Sequence, residues 1–169
     1  GGHSAEERQF ARRERLIEAA IRVYGEVGYR HATVKAVCEA AELTERYFYE
    51  GFSDRDDFVR GVYTEVCKQA MGALMTATTP REAVEKFVTL MVDDPVRGRV
   101  LLLAPTVEPV LAHSGAEWMP NFIELLQRKL TTITDPAIQN MAATSLLGGL
   151  TALFTAYLNG RLTASRAQF

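Results

Sequence analysis

Apolar residues in the first third of the chain recur every three or four positions. Phe10, Leu16, Ile17, Ala20, Val23, Tyr24 and Val27 form one stripe with charges between them, the pattern of an amphipathic helix, and Gly28 is its natural stop. After a short YRHA link, Thr33 suits the N-cap of a second helix over residues 34–41, where Val34, Val37, Cys38 and Ala41 share a face. Glu42 and Leu43 interrupt. Thr44 then predicts the cap of a third short helix to about Glu50, its hydroxyl accepting from a first-turn amide, with Gly51 as its end. SDRD at 53–56 reads as a capping box opening a fourth, longer helix that reaches about Leu74.

MTATTP at 75–80, small residues ending in proline, marks a boundary, so the expected organisation is a three-helix domain over 5–52, a connecting helix over 53–75 and a second domain over 76–169. Pro80 opens a helix to about Val92, and Asp94 with Pro95 opens another to Leu103. Pro105, Pro109 and Pro120 predict a chopped middle, followed by helices at about 117–131 and 136–159. Strand alternation and repeats are missing from the pattern, so the expected fold class is all-α.

A hydrophobic share of 47% over 169 residues supports a globular core. Net charge is −2, from 19 Lys and Arg against 21 Asp and Glu, so bulk charge does not announce a nucleic-acid binder and any such function must rest on local arrangement. Cys38 and Cys67 lie in helical patterns without C-x-x-C or zinc spacing, which argues against a disulfide framework or structural metal and fits a reducing cytoplasm. The leading GGHS looks like a tag remnant rather than a targeting signal. The apolar run at 141–158 is short for a membrane span and carries Thr144, Ser145, Thr151 and Thr155 among glycines, so it reads as a buried soluble helix, with no membrane partner.

The local arrangement is more telling. Two short helices separated by a tight turn form a helix-turn-helix pattern, in which Val37, Cys38, Ala41, Leu43 and Phe48 must pack inward so that the third helix can offer its other face to a major groove. Phe48 and Phe52 are core candidates, and Tyr47 and Tyr49, flanking Phe48, cannot both point inward with it.

RRERLIEAAIRVYGEVGYRHATVKAVCEAAELTERYFYEGFSDRDDF resembles the tetracycline-repressor (TetR) family of bacterial transcription regulators, with a motif-level match over roughly residues 12–66. The order carries the resemblance: a Gly-aromatic pair after the first helix, Thr-Val opening the second, Ala-x-aliphatic-Thr in the turn, a late Tyr in the third, then Phe-x-x-Arg-acid-x-apolar. By position, the resemblance implies that Thr33, Tyr49 and Arg55 touch the phosphate backbone, with Lys35 a further phosphate candidate. Thr44, Glu45, Arg46 and Tyr47 would face base edges, Arg46 being able to pair bidentately with guanine.

The chain departs from the family pattern in several places. Glu42 stands where the turn usually has Gly, which implies positive φ in a residue with a side chain, and Gly51 replaces a common polar residue. Glu45 and Glu50 place negative charge near phosphates, opposed by Arg46, Arg55 and the Arg8, Arg12, Arg13, Arg15 cluster, which reads either as a solvated face or as a DNA contact.

Beyond the fourth helix the resemblance implies a helical ligand-binding and dimerisation domain. Ser145, Gly148, Gly149, Ala152 and Ala156 give the last helix small residues suited to close approach by its copy in a homodimer, the alternative being one chain's own core. Phe87, Met91, Leu103, Val107, Trp118, Met119, Phe122 and Phe154 are the expected walls of a pocket for a small, mainly apolar effector, with Glu108, His113 and Asn121 as polar handles. His31 and His113 sit in no nucleophile motif, HSG at 113–115 reads as a loop, and Asp93 with Asp94 reads as a helix terminus plus N-cap, so neither an enzyme nor a cofactor is expected. The function implied is a ligand-responsive regulator, a repressor binding a pseudo-palindromic operator as a homodimer. The alternative is a family-like dimer that has lost DNA binding and serves as a protein-interaction module.

Overall fold

The computed structural model describes residues 2, 4–28 and 31–169; the Tyr29–Arg30 part of the predicted link, and Gly1 and His3 of GGHS, lie outside the described residues. The described residues form eight α-helices and no strand. They run α1 (Ala5–Val27), α2 (Val34–Ala41), α3 (Glu45–Gly51), α4 (Arg55–Met75), α5 (Pro80–Val88), α6 (Pro95–Val107), α7 (Ser114–Lys129) and α8 (Pro136–Leu158), an all-α fold.

Local chemistry sets most of these boundaries. Ser4 and Glu7 close a capping box on α1, and Gly28 leaves it at φ 81°, a conformation that costs glycine little. The Thr33 side chain accepts from the Ala36 amide and starts α2. Thr44 sits at the N-cap of α3 but makes no side-chain capping bond, and Phe52, with extended backbone, follows Gly51 as the last residue of the helix. At α4 the cap is Asp54, accepting from the Asp57 amide, one position later than the SDRD reading placed it.

Two sequence expectations fail in the middle. Pro105 lies inside α6 and Pro120 inside α7, so proline breaks the chain only around Pro109, in a single 3-10 turn at Pro109–Leu111. A proline one turn into a helix forfeits little, because first-turn amides lack intrahelical partners; Pro120, six residues beyond Ser114, and Pro105, close to the end of α6, are accommodated farther in. The second concerns the junction of α5 and α6: the helix expected to reach about Val92 does so, but its last turn, Thr89–Asp93, is π-helical. The Asp94 carboxylate does not cap α6 but accepts from Arg97 at 2.9 Å.

α1 packs on α2, α3 and α4 and also against α6, which in turn contacts α4 and α8, while α7 pairs with α8. α1 and α6 approach closely because Gly25 has no side chain: a Cβ there would lie 2.5 Å from Val96 Cγ1 and 2.7 Å from its Cα. Arg99 donates to the Gly25 carbonyl at 2.7 Å, and Arg97 ties α6 to Glu18 of α1 and Gln69 of α4. Gly25→Ala is therefore expected to destabilise the fold by about 1–3 kcal/mol, since the obstruction is backbone as well as side chain. A urea midpoint unchanged from the parent would show that the two helices can separate at no cost.

The linker after α4 is anchored rather than loose: Leu74 and Ala77 are buried, and Lys129 donates to the Ala77 carbonyl. α8 differs from its expected burial. Only Ala143, Leu147 and Phe154 are buried, while Ile138, Met141 and Leu153 are 51%, 60% and 40% exposed. By length and composition alone α8 is also the one described helix able to cross a membrane.

Candidate functional site

Phe48 fixes the orientation of α3. It is fully buried, with ring centroids 5.5 Å from Phe52 and 4.9 Å from Phe58 of α4, so the opposite side of the short helix must face outward. Thr44, Glu45, Arg46 and Tyr49 are exposed, as are Thr33 and Lys35 at the start of α2. Tyr47 is half-buried beneath the Arg12 guanidinium, 4.4 Å above its ring. Glu42 adopts φ 54° and ψ 42°, the left-handed turn conformation that the family pattern implied, and its amide closes back on α2.

The charges are paired both along the helices and between them. Glu50 accepts from Arg46 Nε at 3.0 Å and lies 3.6 Å from Arg12 Nη2. Arg13 covers the Phe52 ring at 4.6 Å, and Arg15 donates to the Ala41 carbonyl at 2.7 Å, so these arginines of the α1 cluster hold the three-helix unit together. Lys35 faces Glu39 at 3.9 Å.

Arg55 departs furthest from expectation. Rather than pointing free toward a phosphate, it forms a two-pronged pair with Glu108, Nη2 to Oε1 at 2.7 Å and Nη1 to Oε2 at 3.1 Å. Glu108 lies in the break between α6 and α7 and is only 4% exposed, so its carboxylate requires a cation. Its hydrogen bonds raise the Arg55 pKa. Burial pushes the neighbouring Tyr24 phenol up to about 12. Glu108 is thus an internal counter-ion rather than the effector handle proposed for it.

A cavity of about 160 Å³ opens between α4, α5, α6, α7 and α8. Phe87, Trp118, Met119 and Phe122 line it as expected. Leu103 and Val107 instead line a separate cavity of about 410 Å³ on another side of α6, and Met91 and Phe154 are core, Met91 packed at Gly98 and Phe154 against Phe87. An α6 residue's direction depends on helix phase, which the proline-based segmentation misjudged. Sequence reasoning missed Tyr63, Leu101, Leu102, Pro105, Leu147 and Thr151 as walls; the three-to-four spacing of α4 marked Tyr63 as inward-facing but could not distinguish core from cavity. His113 and Asn121 are exposed and do not line this cavity. The Tyr63 hydroxyl and Cys67 thiol share a hydrogen bond, and burial raises both pKa values, that of Cys67 to about 12. Among the described residues no His, Cys, Asp and Glu group could hold a metal ion.

Residues 16–62, which contain the second half of α1, α2, α3 and the start of α4, match the family model of the bacterial regulatory proteins, tetR family. Residues 16–62 thus form a helix-turn-helix segment of the TetR type. A helix-turn-helix of this type is the DNA-binding module of bacterial regulatory proteins, and here a helical C-terminal part follows it. No curated protein matches the chain significantly. Among solved structures, a transcriptional regulator from Rhodococcus sp. Rha1 is 20% identical, with 87% of this chain and 83% of that one covered and a TM-score of 0.70. NalD, the secondary repressor of the MexAB-OprM multidrug efflux pump in Pseudomonas aeruginosa, is 18% identical over 92% and 88% of the two chains, with a TM-score of 0.62. The multidrug binding protein EbrR, complexed with imidazole, is 22% identical over 91% and 96%, with a TM-score of 0.59. At these identities the likeness is one of fold, and it takes in the C-terminal helices as well as the helix-turn-helix.

Proposed function

We propose that this chain is a cytoplasmic, homodimeric repressor of the TetR family that binds a pseudo-palindromic operator and releases it when a small, mainly apolar molecule enters the cavity beside α4. The observation that carries this is the division of α3 by face. Phe48 locks one side into the core, leaving Thr44, Glu45, Arg46 and Tyr49 outward, with Thr33 and Lys35 exposed on α2. Thr44 to Tyr47 would meet base edges, and Thr33, Lys35 and Tyr49 the phosphates. Arg55 would reach a phosphate only by giving up Glu108.

Dimerisation draws support from α8, whose uncovered apolar residues flank exposed Ser145, Gly148, Gly149 and Ala152, with Ala156 half-buried. Apart from the helix's own backbone, no described residue lies within 4 Å of a Cβ placed on Gly148 or Gly149, so a second copy could approach there closely. The effector reading draws on the aromatic walls of the cavity, which suit a flat molecule of modest size; EbrR is a multidrug binding protein and NalD represses a multidrug efflux pump, so flat apolar drugs are the natural probes. An occupant touching Tyr63 would bias the position of α4, and with it the spacing of two recognition helices.

Selection of bound fragments from genomic DNA at low and moderate salt tests the function. A recovered palindromic sequence whose affinity falls steeply with salt is expected. Recovery of no sequence, or binding insensitive to salt, would instead favour the protein-interaction module, for which the Arg46 to Glu50 pairing is the specific support.

A further inference from the structure

Glu50, one of the acids that the sequence sets near the expected phosphates, acquires a role from its partners. Arg46 stands in the first turn of α3, where a recognition helix meets base edges, and its side chain is 83% exposed. Its guanidinium folds back along the helix to Glu50, one turn on, at 3.0 Å. Glu50 also lies 3.6 Å from Arg12, which is held over the Tyr47 ring at 4.4 Å. Gln9 donates to the Glu50 carbonyl at 2.8 Å and so ties this end of α3 to α1. One carboxylate therefore occupies two of the cations a phosphate backbone would attract.

We infer that Glu50 is a specificity-setting residue, acting through Arg46 and Arg12 as an internal competitor for DNA phosphates. This rests on the operator-binding function proposed above. Exposed pairs four residues apart on a helix are weak, so the Arg46 to Glu50 bond yields to a better partner. A guanine edge, with two acceptors matched to the guanidinium, is such a partner. An isolated phosphate is a poorer one, because its approach also brings negative charge toward Glu50. The carboxylate thus penalises contact with every sequence alike and leaves the correct base step to offset the penalty, which is specificity by discouraging wrong partners. Glu50 touches no base in this scheme; it is a positioning residue.

The test compares the parent with Glu50→Gln, which keeps the shape of the side chain and removes the charge. Both are titrated with the selected operator and with an unrelated duplex across a salt series, and both are checked by thermal unfolding. Glu50→Gln is expected to bind unrelated DNA roughly five- to tenfold more tightly at low salt, and to steepen the dependence of log K on log salt by roughly one to two. Its preference for the operator over unrelated DNA falls. In an Arg46→Ala background the effect of Glu50→Gln should shrink, which a merely structural role for Glu50 would not produce. If the parent selects an operator and Glu50→Gln changes neither slope nor preference, the role of Glu50 is wrong while the operator function stands. If neither protein binds DNA, both fall; if only Glu50→Gln binds, the restraint by Glu50 is supported.

Discussion

Arg55→Ala is expected to lower the unfolding free energy by about 3 kcal/mol, because it strands the Glu108 carboxylate at 4% exposure without its cation. The value sits at the low end for a broken buried pair, since the Arg55 side chain is 46% exposed and water can follow the truncated chain inward. The two residues lie 53 positions apart, so the pair joins the start of α4 to the break between α6 and α7. Glu108→Gln should cost much less, as the amide is neutral and Arg55 can turn to solvent. Replacing both by apolar residues should recover most of the loss. Urea unfolding at one fixed protein concentration checks all three, and a midpoint for Arg55→Ala matching the parent would mean that Glu108 finds another partner.

Phe48→Ala should be costlier still, about 3–5 kcal/mol, for it removes a fully buried ring from the junction of α3 and α4. Tyr49, Phe52 and Phe58 all have ring centroids within 5.5 Å of it. A seven-residue helix has too few hydrogen bonds to persist in isolation, so α3 holds its orientation only by packing. The expected result is loss of amide-exchange protection in α3 and loss of DNA binding before the rest of the chain unfolds. Uniform loss of protection across all helices would show instead that α3 and the C-terminal helices unfold as one cooperative unit.

Periodicity and capping made the N-terminal half readable to within a residue or two. The centre of the α1 stripe, Leu16 to Tyr24, Thr33 as the cap of α2 and the stop at Gly28 are present, though Phe10 and Val27 at the ends of the stripe are exposed, and the left-handed Glu42 lies where the resemblance implied. Reading prolines as breaks failed at Pro105 and Pro120, because the missing amide matters only where a bond would have formed and neighbouring packing can hold the helix through it. The walls of the cavity were half legible. Phe87 and Trp118 were found by type, while Leu103 and Val107 face away, because residue type indicates burial without indicating which neighbour covers it.

By itself the sequence determined the all-α class, the helix-turn-helix and the inward turn of Phe48, all of which follow from interactions a few residues apart. Only the tertiary structure decided what the charges do. Arg55 meets Glu108, Arg12 meets Tyr47 and Glu50, and Arg97 joins α6 to α1 and α4. Coulomb attraction acts between any opposite charges that the folded chain brings close, and apart from pairs one helical turn away nothing in the spacing of residues marks which those will be.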